Sequence, residues 1–170
     1  MNEPAALSAE SAVEESRRWW IRDATSPDVP EIAGALRMLL TELGGSPPAA
    51  RELEWAAGAV IDDPERGCLL VADTADDGLV GVLAASWQHA IHVPGRYCIL
   101  QDLWTDLDWR SRGVGASLVA ELLVRMRRHH VDRVEVGLPS GDFARLEATE
   151  AFYLANGFAS LGPRMRQVLK

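Results

Sequence analysis

The chain is poor in the features that would place it in several large protein classes. Its two cysteines, Cys68 and Cys98, stand far apart in apolar surroundings with no C-x-x-C spacing, which argues against a disulfide framework and predicts buried, reduced thiols. No apolar run approaches the roughly 20 residues that cross a bilayer, so no membrane partner is expected. Residues 1–17 are acidic and polar where an export signal would be basic and then apolar, so they read as a mobile tail on a cytoplasmic protein. Positive charge is short as well. A net charge of −8 argues against a nucleic-acid partner and favours the approach of a cationic one. No serine or cysteine nucleophile motif is present, and no metal site is expected.

What remains suits one soluble α/β domain over residues 18–170. A short strand over 19–24 precedes a helix capped by Ser26 or Asp28, with Ile32, Leu36, Leu39, Leu40 and Leu43 on one face, stopped by Gly44-Gly45. A second helix over 50–61 ends before Asp63-Pro64. Strands over 68–73 and 79–87 form a hairpin, and a long strand over 97–106, apolar on both faces, belongs at the centre of the sheet. Val114, Leu118, Leu122 and Met126 recur every four residues, with Val119 and Leu123 widening the stripe and Glu121 paired to Arg125 outside. His129 and His130 end this helix, where its dipole favours imidazolium. A strand over 131–138, a helix ending at Gly157 and a last strand over 164–169 complete the order β-α-α-β-β-β-α-β-α-β.

The stretch WRSRGVGASL, residues 109–118, carries the chemistry. Two arginines and two glycines open a helix directly after a strand, a place suited to an anion. A Walker A loop would need lysine and then serine or threonine after Gly115, where Ala116 and Ser117 stand. A dinucleotide fingerprint would need glycine or alanine at Leu118 and a tight turn off the strand, although Glu135 lies at a fitting distance for a ribose-binding acid. The third reading is R-x-x-G-x-G, Arg110 to Gly115, with backbone N–H groups and a helix N-terminus facing a pyrophosphate.

In that motif, in the order of its elements and in the later AFYLANGF (residues 151–158), the chain resembles the GCN5-related N-acetyltransferases. Their coenzyme A loop has the form [Q/R]-x-x-G-x-[G/A], and a tyrosine of F-Y-x-x-x-G-F faces the coenzyme sulfur. The resemblance implies a mixed, centrally splayed sheet flanked by helices, and acetyl transfer from acetyl-CoA to an amine by direct attack, without a metal. It implies that Leu103, Trp104 and Thr105 pair with the pantetheine arm and polarise the acetyl carbonyl. The loop Arg110, Ser111, Arg112, Gly113, Val114, Gly115 and Ala116 then holds the pyrophosphate, with both arginines neutralising phosphate charge. Tyr153 is the implied general acid.

Two positions depart from the family's pattern. In the branch similar to spermidine acetyltransferases a Glu-Asp pair supplies the base, and here it reads Gln101-Asp102, so the base is Asp102, another acid such as Glu42, or water acting on a partly neutral amine. Leu146 stands where many relatives carry an asparagine that contacts the cofactor arm. Trp55, Trp87 and Trp104 are candidates for a cation–π acceptor pocket as well as for the core, and His89 and His92 are read as bystanders. The expected acceptor is a small-molecule primary amine, with a protein N-terminus or lysine as the alternative and a non-catalytic CoA-binding sensor as the second alternative. The reading admits a homodimer.

Overall fold

The computed structural model describes residues 19–92, 95–162, 165 and 167. Five strands form one sheet in the order β1-β2-β3-β4-β5. Strands β1 (Trp19–Asp23), β2 (Gly67–Thr74), β3 (Gly78–Ala90) and β4 (Gly95–Thr105) each run antiparallel to the next, and β5 (Val131–Val136) lies parallel to β4. Four helices flank them: α1 (Val29–Glu42), α2 (Ala50–Ile61), α3 (Val114–Arg128) and α4 (Leu146–Ala155). This is the mixed α/β fold expected, with element ends that differ by a few residues. The tail and the final strand over 164–169 fall outside the described residues, except for Met165 and Gln167, which are in no strand.

Period-two alternation divides the core between the faces of the sheet. Leu70, Ala72, Leu83, Ala85, Cys98 and Leu100 point to the α3 side, and Leu69, Val71, Val82, Ala84 and Trp104 to the α1 and α2 side. Within α3 the predicted stripe is the buried one, since Val114, Leu118, Val119, Leu122 and Met126 are each at most 1% exposed. At about 2 kcal/mol for each large buried side chain, that stripe is worth on the order of 10 kcal/mol. The Glu121–Arg125 pair at 2.8 Å adds only about 0.3–0.5. Packing therefore fixes α3, and Arg125 also bonds Asp23 of β1.

Two local expectations change. Neither Ser26 nor Asp28 caps α1 through its side chain. The turn starts at Thr25, whose N–H and hydroxyl both donate to the Asp28 carboxylate, and the same carboxylate takes two bonds from Arg22 at 2.7 and 2.8 Å. Aspartate here has stronger donors available than the helix amides. In α1 the fully buried positions are Ile32, Ala33 and Ala35, with Leu36 and Leu39 packed at the margin, because small residues let the helix lie close to the sheet. His129 packs its ring on Trp87 with centroids 5.2 Å apart.

The register of β4 shapes everything that follows. Opposite Ala84 and Ala85 stand Asp102 and Leu100, so Gln101 is an extra, bulged residue. On the other side, β5 pairs with β4 only as far as Leu100 opposite Val136. Among the described residues, 101–105 thus have a strand neighbour on one side only, which is the expected splay.

Gly81 is where α3 sits closest to the sheet. A Cβ there would lie 2.8 Å from Val114 Cγ1, 3.0 Å from Leu118 Cδ1 and 3.2 Å from Ala72 Cβ. Gly81→Ala is therefore expected to cost about 1–3 kcal/mol by overpacking, read as a lower denaturant midpoint at unchanged slope. A midpoint equal to that of the parent would show that α3 can move outward freely.

Candidate functional site

The splay opens a cleft of about 530 Å³. Its walls are Gln101, Asp102, Leu103, Trp104 and Thr105 of β4, the end of α1 (Leu39, Glu42, Leu43), the loop and start of α3 (Trp109, Arg110, Ser111, Gly113, Val114, Gly115, Ala116), and the far side from Val136 to Asn156. Every residue to which the resemblance assigned a catalytic or cofactor-binding role lines this cleft except Arg112, whereas the acceptor-pocket candidates Trp55 and Trp87 do not. Residues remote in sequence meet because β4 outruns β5 while α3 and α4 start beside the gap.

The loop is shaped by left-handed backbone. Gly113 has φ 94°, which glycine adopts freely, while Ser111 has φ 60°, uncommon for a residue with a Cβ. Trp109 anchors the loop from below. Its indole N–H donates to Asp77 on the β2–β3 turn at 3.2 Å, its ring meets Trp19 edge to face at 6.1 Å, and the Arg112 guanidinium stacks on it at 5.1 Å. Arg112 is thus engaged outside the cleft. Gly115 faces inward, since a Cβ there would lie 3.5 Å from both Phe152 and the Thr105 hydroxyl, two groups of the cleft wall.

Arg110 is a strut. Its Nε donates to the Thr105 carbonyl at 3.0 Å, and its two terminal nitrogens donate to the Glu42 carboxylate at 2.8 and 2.6 Å. Arg145, at the start of α4, approaches the same carboxylate at 3.8 Å. The bidentate bond from Arg110, then its charge and that of Arg145, hold Glu42 below the usual carboxylate range, so Glu42 is a poor base. Asp102 is the contrasting acid. No partner engages its carboxylate among the described residues, and burial raises its pKa.

Tyr153 is 7% exposed, and its ring meets Phe152 and Phe158 edge to face at 5.1 and 5.4 Å. Burial, then the nearby Asp102 charge, pushes its phenol up to about 12. It is protonated at neutral pH. Trp87 and Trp104 are both 5% exposed, Trp104 with an edge on the cleft, whereas Trp55 is exposed on α2 away from it. Leu146 is not in the cleft wall. Arg145, Phe143 and Asn156 are, and no sequence signal pointed to them, because they reach the cleft only through the docking of α4. Burial pushes the thiols of Cys68 and Cys98 up to about 11 and about 12, so both stay protonated. Among the described residues no group of His, Cys, Asp and Glu could hold a metal, and no helix is long and apolar enough to cross a membrane.

A splayed mixed sheet with a glycine-rich helix entry beside the gap is the architecture of known acetyltransferases. The fold is similar to a structure described as a possible acetyltransferase from Clostridium difficile 630 (TM-score 0.75, 16% identity, 89% of this chain and 97% of that one). It is similar also to glucosamine-6-phosphate N-acetyltransferase from Arabidopsis thaliana (0.73, 12%, 91% and 100%). A third likeness is to an aminoglycoside acetyltransferase from an uncultured soil metagenomic sample (0.69, 16%, 89% and 97%). No curated protein matches the sequence. The model of the acetyltransferase (GNAT) family matches residues 29–158, and the chain belongs to that family.

The Glu42 pairing has a pH signature. A carboxylate whose folded pKa lies below its ordinary 4.5 adds stability that is fully present above that value and is lost as pH falls through the lower, folded one. Glu42→Gln should therefore melt below the parent at neutral pH, and the gap should narrow as pH falls below about 4.5. Thermal melts from neutral to acid pH test this, and a gap constant with pH would show that the pair's charge contributes nothing.

Proposed function

We propose that the protein transfers the acetyl group of acetyl-CoA to the primary amine of a small molecule. The observation that carries this reading is the convergence of the unpaired β4 edge, the glycine loop, Asp102 and Tyr153 on one cleft. The residues fit the cofactor. Backbone N–H and C=O groups of residues 101–105 lack a strand partner on the β5 side, Gly115 leaves open the space a Cβ would take, and the amides that start α3 would meet an anion there with no side chain of Gly115 in the way. Leu103 to Thr105 would hold the pantetheine arm, and the backbone of the loop from Arg110 to Ala116 the pyrophosphate, the side chains of Arg110 and Arg112 being engaged by Glu42 and Trp109. Acetyl-CoA supplies the acyl group as a thioester, reactive enough to need no covalent enzyme intermediate.

The chain's own residues manage the protons. Asp102, unpaired and with its pKa raised by burial, takes a proton from the acceptor ammonium, and the neutral nitrogen then attacks the carbonyl carbon. As the new C–N bond forms and the C–S bond breaks, the Tyr153 hydroxyl gives its proton to the departing sulfur, the acylated nitrogen releases its surplus proton to water, and the phenolate regains one from water. A phenol pushed up to about 12 is itself a weak acid, so the donation counts most when the sulfur carries nearly full negative charge. The small-molecule acceptor rests on the modest volume of the cleft, about 530 Å³, and on the acidic net charge of the chain.

Two variants separate binding from chemistry. Acetyl-CoA should raise the melting temperature of the parent protein, and Gly115→Val should lose most of that rise while melting within a few degrees of the parent without ligand, because the added carbons enter the cleft. An undiminished rise would remove the loop from the binding site. Tyr153→Phe keeps the ring contacts and removes the proton, so kcat and kcat/KM should fall together by about 10-fold or more with acetyl-CoA affinity within a few-fold. Turnover at the parent rate would assign the proton to water or another group.

A further inference from the structure

The charges around the cleft specify the acceptor more narrowly than the term small amine does. On β4, Trp104 lies in the core under α1 and α2, and Asp102, two residues earlier beyond the bulge, shares its face, whereas Leu103 packs on the α3 side. The glycine loop opens α3, so the cofactor site and the acceptor site reach the open edge of β4 from opposite faces of the sheet. The acceptor half is the α1 side.

Among the described residues the cleft wall carries two carboxylates, Asp102 and Glu42, and two guanidiniums, Arg110 and Arg145. Glu42 is committed, taking both terminal nitrogens of Arg110 and lying 3.8 Å from Arg145. Arg110 is held at its other edge by the Thr105 carbonyl at 3.0 Å, so the pair has little freedom to part. Among the described residues Asp102 alone is left to meet an ammonium, in a wall that also includes Leu39, Leu43 and Trp104. A second positive charge on the acceptor would find no free carboxylate there and would face guanidinium instead.

Resting on the acetyltransferase reading above, we infer that the acceptor is a primary amine with a single positive charge and an otherwise neutral body, and that Arg145 is a specificity-determining residue that excludes polyamines. Like-charge exclusion of this kind is how a site rejects a competitor that shares the reacting group. A neighbour in fold that acts on an aminoglycoside, a polycation, makes the distinction one between relatives.

The test uses three matched pairs of amines on alkyl, benzyl and sugar frames, the members of each pair differing only in a second ammonium. Each is measured at neutral pH by kcat/KM and by calorimetric binding to the protein saturated with CoA. The monoamine should be preferred by about 10-fold or more in both readouts, and Arg145→Glu should swing the ratio toward the diamine by a similar factor, whatever it does to the absolute rate. Equal or better use of the diamines by the parent protein, or a ratio unmoved in Arg145→Glu, overturns the inference and leaves the acetyltransferase reading standing. If acetyl-CoA binds but no amine of either kind binds or is acetylated, the small-amine reading itself fails and the inference falls with it.

Discussion

The length of β4 relative to β5 is the constraint on which the rest depends. Two parallel strands normally pair along their shared length, and here the ladder stops at Leu100 and Val136 while β4 runs on to Thr105. Peptide groups left without a strand partner have unmet hydrogen-bonding capacity, which in a closed core would be costly. In this fold the cost is avoided because the gap is open. The bulge at Gln101 adds to the effect by bending the strand at the point where it loses its neighbour.

Electrostatics then divides the opening into unlike parts. The glycine loop presents backbone amides and a helix N-terminus, a diffuse positive field that needs no side-chain charge of its own. Opposite it, Arg110 ties the end of β4 to the end of α1 through Glu42, so a contact between fixed charges spans the two layers that flank the cleft. Asp102 and Tyr153 lie deeper, each moved upward by burial and each holding its proton more firmly than in water. Two titratable groups with raised pKa values in one low-dielectric space are better suited to the proposed proton transfers than the screened, paired carboxylate of Glu42.

Much of the scaffold was legible from pattern alone, because the α3 stripe, the β2–β3 hairpin and the long β4 each express a strong period bounded by turn residues. The loop motif, at the start of the strongly periodic α3, and the phenylalanine-tyrosine pair, through the family resemblance, pointed to residues that meet in one cleft. What was not legible depended on tertiary docking. Nothing in the sequence shows that Arg110 reaches back 68 residues to Glu42 and not outward to an anion, or that Arg112 sits over the Trp109 ring. Arg145 stands in an irregular stretch with no period, and its place at the cleft follows from how α4 packs. Ser26 and Asp28 failed as helix caps for a related reason, since Arg22 of the neighbouring strand offers the aspartate a charged partner that local sequence does not reveal.

On the proposed reading of the loop as the pyrophosphate site, the anchoring of Trp109 bears on the timing of ligand capture as well as on its strength. A loop held by an indole bond to Asp77, an edge-to-face contact with Trp19 and a stacked arginine, with Ser111 already in the left-handed region, has surrendered its conformational freedom before any anion arrives. Little ordering entropy is left to lose on association, and no slow closure has to precede contact. The encounter is then governed by diffusion and by the field at the α3 terminus. The residence time, rather than the rate of arrival, becomes the quantity that substitutions in this loop would change.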